Sequence, residues 1–240
     1  MKAWLVGLTL ISSLIANGIA AWYLWDNYKT TNALRLDPLQ LHVYQEPAPA
    51  KTKQLKRVVL FGDSRALSWP KPDVLGYEFI NRGIGNQTTA QISLRFKQHV
   101  AELKPDIVLI QMGINDLKTI PLFPEQQQAI INQCKTNIQS VVNASQALGS
   151  KVLLTTIFPT AEVPLERRLI WSDEVNPAIQ EVNSFIKTLV SKQVEVIDSY
   201  SLLKGNNDLI QAQYSRDFLH LNSQGYEALN ASLLKQLKQP

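Results

Sequence analysis

Leu55-Lys56-Arg57-Val58-Val59-Leu60-Phe61-Gly62-Asp63-Ser64 is a short apolar, β-branched run that stops abruptly on a polar turn. Runs of this kind recur downstream. Tyr77 to Asn81 is a weaker one, Asp106 to Met112 and Lys151 to Ile157 are strong, and Val194 to Asp198 is the fifth. Between them lie helical patterns near Thr88 to Leu103, Pro124 to Leu148 and Trp171 to Lys192, with a last one from Ser223 to Leu237. Strands buried on both faces read as continuous apolar runs, and intervening helices supply right-handed crossovers. The pattern predicts an α/β protein, a three-layer α/β/α sandwich around a mostly parallel five-stranded sheet.

In an open sheet of this type, ligands bind at the carboxyl ends of the strands. The first strand ends in Gly62-Asp63-Ser64. The second leads into Asn81-Arg82-Gly83-Ile84-Gly85-Asn86-Gln87-Thr88-Thr89, and the third into Gly113-Ile114-Asn115-Asp116. Asp217-Phe218-Leu219-His220 precedes the last helix. Together these segments hold a serine, a histidine and an aspartate, the groups that turn a weak hydroxyl into a nucleophile for an acyl carbon. Each is weak by itself. Asp63-Ser64 also reads as a helix cap, Gly113 to Asp116 as a plain turn with Asp116 capping it, and Asp217 with His220 as a surface pair. Their order, and their place after the right strands, makes the set specific.

On these residues the chain resembles the SGNH family of GDSL-type hydrolases. Gly62-Asp63-Ser64 is similar to its first block, Gly113-Ile114-Asn115-Asp116 to its third, and Asp217-Phe218-Leu219-His220 to its fifth. The resemblance covers about residues 55 to 237. It implies a flavodoxin-like fold and hydrolysis of carboxylic esters or thioesters. It also implies roles: Ser64 as nucleophile, His220 as base, and Asp217 as the group that orients the imidazole. The oxyanion would be held by the N–H of Ser64, a backbone N–H in block two and the side-chain amide of Asn115. Block two departs from the family pattern, because Asn86 stands where a glycine is usual and Gly85 precedes it. Asn tolerates the left-handed backbone conformation better than most residues, so a donor from Asn86 or Gly85 is expected to persist. The elbow of the α/β-hydrolases does not fit, since Ala66 occupies its second glycine position.

The rest of the chain bounds this reading. Its 240 residues favour one catalytic domain, expected over 55–240. The net charge of +4 comes from scattered Lys and Arg, with one small cluster at Lys51, Lys53, Lys56 and Arg57 that reads as a solvated linker. Nucleic-acid binding is therefore not expected. Cys134 is the sole cysteine, so no intrachain disulfide can form; it reads as core filler. No Cys/His cluster suggests a metal, and no cofactor is expected. His99 reads as a solvated or half-buried helix residue, and Arg65 and Trp69 as lining the substrate mouth or packing.

From Ala3 to Trp25 no residue is charged. About 23 residues at 1.5 Å each span roughly 35 Å, enough for a bilayer core. Trp22, Tyr23 and Trp25 gather where an aromatic belt would sit. Residues 1–25 are read as an uncleaved transmembrane anchor with the domain on the extracytoplasmic side; the alternative is a cleaved signal peptide and a secreted or periplasmic domain. Lys2 and the terminal amine set that orientation. Residues 26–54, with Glu46-Pro47-Ala48-Pro49-Ala50, read as a tether. The expected partners are the membrane and an ester substrate: a lysophospholipid, an acylated glycan or a small acyl ester. Acyl transfer through the same acyl-enzyme, or a non-catalytic binding module on the same fold, are the alternatives.

Overall fold

The computed structural model describes residues 2–45, 49–52 and 54–237. Met1, Lys53 and the Glu46-Pro47-Ala48 part of the expected tether lie outside these residues, as does the Lys2 side chain. The chain divides into two units, one ending at His42 and the other beginning at Val43.

The first unit is a helix, α1 (Lys2–Leu36), followed by a short 3-10 turn at Leu41–Tyr44 that begins inside it. The helix runs past the expected limit at Trp25. Residues 26–36 contain neither glycine nor proline, and the first proline after them is Pro38. The residue before a proline is pushed out of the helical region, which stops the helix just ahead of Asp37. Leu5, Val6, Leu10, Leu14, Ile19 and Trp22 are all exposed and spread around the axis, so the part of the helix before Asp26 is apolar all round. Ala3–Leu36 is long and apolar enough to cross a membrane.

The second unit holds a five-stranded sheet: β1 (Lys56–Gly62), β2 (Tyr77–Gly83), β3 (Ile107–Gln111), β4 (Lys151–Thr155) and β5 (Val194–Ile197). The order is β2-β1-β3-β4-β5, and all four pairings are parallel. All five expected strands are present. Alternate residues of each strand enter opposite cores. Val59, Phe61, Val108, Ile110, Val152 and Leu154 face one side, with the long helices α6 (Gln127–Ala147) and α7 (Val175–Thr188). Val58, Leu60, Ile107, Leu109 and Leu153 face the other, with α9 (Ser223–Leu237). The helices meet the sheet through apolar stripes of helical spacing. In α7 that stripe is Val175, Ala178, Ile179, Val182 and Ile186.

The single helix expected over 88–103 is broken. It becomes α3 (Thr89–Leu94), α4 (Phe96–His99) and a 3-10 turn at Ala101–Leu103. At Arg95 the chain leaves helical angles (φ −91°, ψ 5°), and the side chain is fully buried. Its guanidinium donates to the carbonyls of Arg82 (2.9 Å) and Gly62 (2.8 Å) and to the side-chain oxygen of Gln87. His99 is buried as well, 2% exposed, with its Nδ1 3.1 Å from Arg95. It is not the solvated residue expected.

In the basic cluster Lys51 and Lys56 are exposed, but Arg57 is not solvated. Arg57 lies in β1, 2% exposed, and its Nε donates to Glu78 at 2.7 Å. Lys51 pairs with Asp106 at 2.8 Å. Cys134 is buried in the core, as read, and burial raises its thiol pKa.

One contact controls how β1 ends. A Cβ placed on Gly62 would stand 1.7 Å from the Gln111 carbonyl oxygen of β3. That clash is with backbone, so Gly62→Ala must part the two central strands. Overpacking of this kind costs about 3 kcal/mol. Thermal unfolding of the variant should show a clearly lowered melting temperature. Gly205→Ala, where the nearest atom would be 3.5 Å away, should change it little.

Candidate active site

The site grows from the carboxyl edge of β1. Asp63 caps the one-turn helix α2 (Ser64–Leu67), its Oδ1 accepting the Arg65 N–H at 2.8 Å. This places Ser64 at a helix start, half-buried. The β2 exit runs alongside, with the Ile84 N–H bonded to the Gly62 carbonyl at 3.0 Å. Gly85 passes close to the serine: a Cβ built there would lie 3.9 Å from the Ser64 Cβ. Asn86 has φ +61°, the left-handed conformation that its side chain was expected to tolerate. Next, the Gln87 carbonyl accepts the Asn115 amide at 2.9 Å.

Asn115 lies on α5 (Ile114–Leu117), after β3, and is 3% exposed. Asp116 accepts its own backbone N–H and also reaches across to α3. Its carboxylate accepts the Thr89 N–H at 2.8 Å and the Thr89 hydroxyl at 2.6 Å, tying α5 to the start of α3. Burial raises the Asp116 pKa to about 6 against those two donors.

The loop before α9 supplies the remaining groups. Asp217 and His220 share one tight turn. Asp217 Oδ1 accepts the N–H groups of Leu219 (2.9 Å) and His220 (2.8 Å), and His220 Nδ1 lies 2.9 Å from both carboxylate oxygens. His220 Nε2 is 3.0 Å from the Ser64 hydroxyl oxygen, across 156 residues of chain. With Nδ1–H donating to Asp217, Nε2 is left to accept the serine proton. Burial opposes ionisation of Asp217, but the two backbone donors and the imidazole outweigh it and its pKa is lowered. His220 shifts below its usual 6.5 because burial outweighs the pull of Asp217.

Arg65 does not line a mouth. It is fully buried, and its guanidinium donates to the carbonyls of Leu219 (2.9 Å), Phe158 (3.1 Å) and Pro159 (3.3 Å). It thus clamps the residue after the serine to the residue before the histidine. Trp69 is also buried, its indole N–H bonded to Asn230 at 2.7 Å. Reading residue by residue gave no sign of the Arg65 clamp or of the Asp116–Thr89 link, since both depend on partners distant in sequence. Among the described residues, no group of three or more His, Cys, Asp or Glu is placed to hold a metal.

The geometry therefore brings together Ser64, Asp217 and His220, with Gly85 against the serine and Asn115 bonded into the loop that carries Asn86. The profile of the GDSL-like Lipase/Acylhydrolase family matches residues 62–228. The chain belongs to that family. It is 24% identical over 170 residues to an acetylxylan esterase of Geobacillus stearothermophilus, covering 68% of this chain and 73% of that protein. It is 30% identical over 123 residues to an uncharacterized lipoprotein, YqeF, of Bacillus subtilis, covering 44% of this chain and 49% of the other. Among solved structures, a GDSL-like lipase of Bacteroides thetaiotaomicron superposes with a TM-score of 0.65 at 26% identity, covering 83% of this chain and 98% of that one. Membership carries esterase or acylhydrolase activity at the level of reaction class.

The depressed basicity of His220 can be measured directly. A proton NMR titration of the His220 ring should show its midpoint below 6.5, so the imidazole is neutral and able to accept a proton through the weakly acidic range. Asp217→Asn removes the charge that raises the imidazole pKa and should move the midpoint lower still. A midpoint above 6.5 in the unmodified protein would contradict the burial argument.

Proposed function

We propose that the chain is a serine esterase that cleaves carboxylic esters through an acyl-enzyme on Ser64. The observation that carries this reading is the contact of Ser64 Oγ with His220 Nε2 at 3.0 Å while Nδ1 faces both Asp217 oxygens at 2.9 Å. His220 takes the Ser64 proton as the hydroxyl oxygen attacks the acyl carbon, and the carbonyl oxygen becomes an oxyanion. Asp217 keeps Nδ1–H in place and stabilises the imidazolium. The proton then passes to the leaving alkoxide, which departs as alcohol. Water, deprotonated by the same imidazole, attacks the acyl-enzyme and releases the acid.

The oxyanion is assigned to three donors: the N–H of Ser64, the N–H of Asn86 and the amide of Asn115. The Asn115 amide carries two hydrogens, and the Gln87 carbonyl takes one. That bond fixes the amide plane and leaves the other hydrogen for substrate. Gly85 has no side chain against Ser64, which keeps the approach open.

An acylated glycan is the substrate class best supported. A cleft of about 620 Å³ lies beside the Asp217–Phe218 turn, lined by Thr160, Glu162, Arg168, Trp171, Asp173 and Asn176 among others. Trp171 meets Phe218 edge-on at 5.5 Å. An aromatic surface among charged and amide side chains suits a sugar better than an acyl chain. The acetylxylan esterase relative acts on an acetylated glycan by its name, which agrees with this choice.

A fluorophosphonate probe tests the core of the proposal. Folded wild type should be labelled and Ser64→Ala should not; an unlabelled wild type would end the esterase reading. In the same series, Asn115→Ala should lose about 10²–10³-fold in turnover of a chromogenic acetate. Asn86→Val, which strains the left-handed backbone, should lose more than Asn86→Gly.

The apolar helix α1 is assigned as a membrane anchor that holds the domain on the extracytoplasmic side, in keeping with a lipoprotein among the relatives. N-terminal sequencing of the mature protein should begin at or near Met1. A mature terminus after Ala16 to Gly18 would replace the anchor with a cleaved signal.

A further inference from the structure

Lys118 follows α5 directly and lies three positions beyond Asn115, so the two share a face of that helical turn. It is half-buried. Four described lysines are half-buried: Lys118, Lys135, Lys151 and Lys204. Lys135 pairs with Glu181 at 2.7 Å, Lys151 with Glu195 at 2.7 Å and Lys204 with Asp208 at 2.6 Å. The Lys118 ammonium takes part in none of the ion pairs or hydrogen bonds among the described residues. A partly desolvated charge without a partner costs free energy. Three lysines offset that cost with a carboxylate, and the one beside the site does not.

The charges around it are mixed, with Asp63 the strongest and two arginines opposing it. Burial lowers the Lys118 pKa, and the charges it feels are those of Asp63, Arg65 and Arg167. Asp63 and Arg65 flank Ser64 in sequence, so the ammonium belongs to the neighbourhood of the nucleophile. Asp63 is a poor counter-ion: it is fully buried, its Oδ1 is taken by the Arg65 N–H, and burial raises its pKa to about 6. Asp116 is buried and bonded to Thr89. Arg167 stands exposed, and its guanidinium forms no ion pair among the described residues; neither does Glu166 beside it. Arg216 is paired with Asp217, its Nε 3.4 Å from the carboxylate.

We propose that Lys118 receives one negatively charged group, a carboxylate or a phosphate, that the substrate carries close to the scissile ester. The inference rests on the esterase reading and narrows its substrate class to esters that carry a negative charge. Such a group supplies the counter-charge that the fold withholds from Lys118. It also docks the ester from the Asn115 side, where the carbonyl oxygen must lie. A charge-assisted contact in a partly dehydrated place is stronger than an exposed ion pair, so the preference should be readable as a rate ratio.

The test compares matched pairs of esters on the full chain in mild detergent. Para-nitrophenyl hemisuccinate against para-nitrophenyl acetate puts the charge on the acyl side. Para-acetoxybenzoate against its methyl ester puts a carboxylate on the alcohol side, and para-acetoxyphenyl phosphate against its dimethyl ester puts a phosphate there. In at least one pair the anionic-to-neutral ratio of kcat/KM should fall about tenfold in Lys118→Met. Lys118→Arg should hold it, and added salt should lower it in wild type. Because each ratio is internal to one protein sample, a partly misfolded variant does not distort it. A ratio equal in wild type and Lys118→Met for every pair overturns the anion site while Ser64-dependent hydrolysis of the neutral esters still stands. If no ester is hydrolysed by wild type, the esterase reading falls and this inference falls with it.

Discussion

The carbonyl of Gly62 is the hinge of this structure. It ends β1 where the strand is gripped between β2 and β3, and it takes two donors, the Ile84 N–H at 3.0 Å and the Arg95 guanidinium at 2.8 Å. One donor brings the β2 exit, with Gly85 and Asn86, to the edge where Ser64 begins its helix. The other secures the broken helix beyond that loop. A side chain at position 62 would drive β3 away and carry Asn115 with it. The spacing between Ser64, Asn86 and Asn115 is thus set by backbone packing at one glycine.

Two buried arginines extend that control. Neither Arg65 nor Arg95 forms an ion pair among the described residues; each spreads its charge over carbonyl oxygens. Burial lowers their pKa values, to about 10 for Arg65 and about 9 for Arg95, which leaves both charged at neutral pH. A guanidinium can do this because its five N–H groups fan out in a fixed plane and reach several acceptors at once. A lysine would leave most of those carbonyls unpaired. Arg95 braces the loop that carries Asn86 against the sheet, and Arg65 braces the serine turn against the histidine loop.

Much of this was written in the sequence because the signals were local. Strands buried on both faces announce themselves as runs such as Ile107-Val108-Leu109-Ile110, and a parallel sheet gathers the loops at their carboxyl ends on one edge. Asp217 and His220 are three residues apart, so one turn suffices to pair them. Asn86 in the left-handed region was legible from what an asparagine tolerates. The misreadings within the catalytic domain turned mostly on charge. Arg57 was read as part of a solvated cluster, yet its burial depends on the Glu78 carboxylate and the Leu103 carbonyl, 21 and 46 residues along the chain. Asp116 also bonds Thr89, 27 residues earlier, and nothing nearby in its sequence announces that link. α1 outran its apolar stretch because a helix stops for backbone reasons, at Pro38, and not where polarity begins.

The placement of Asp217 and His220 on one turn has a consequence for how the protein can change. Orientation of the imidazole is an internal property of four consecutive residues, held by two backbone N–H groups and a carboxylate. The loop can shift as a body without disturbing that pair, and only its distance to Ser64 then alters. Assembly of the three groups reduces to a single coordinate, fastened by the Arg65 bond to Leu219. Insertions elsewhere in the long span between serine and histidine are free to reshape the rim, because none of them has to preserve the acid–base partnership itself.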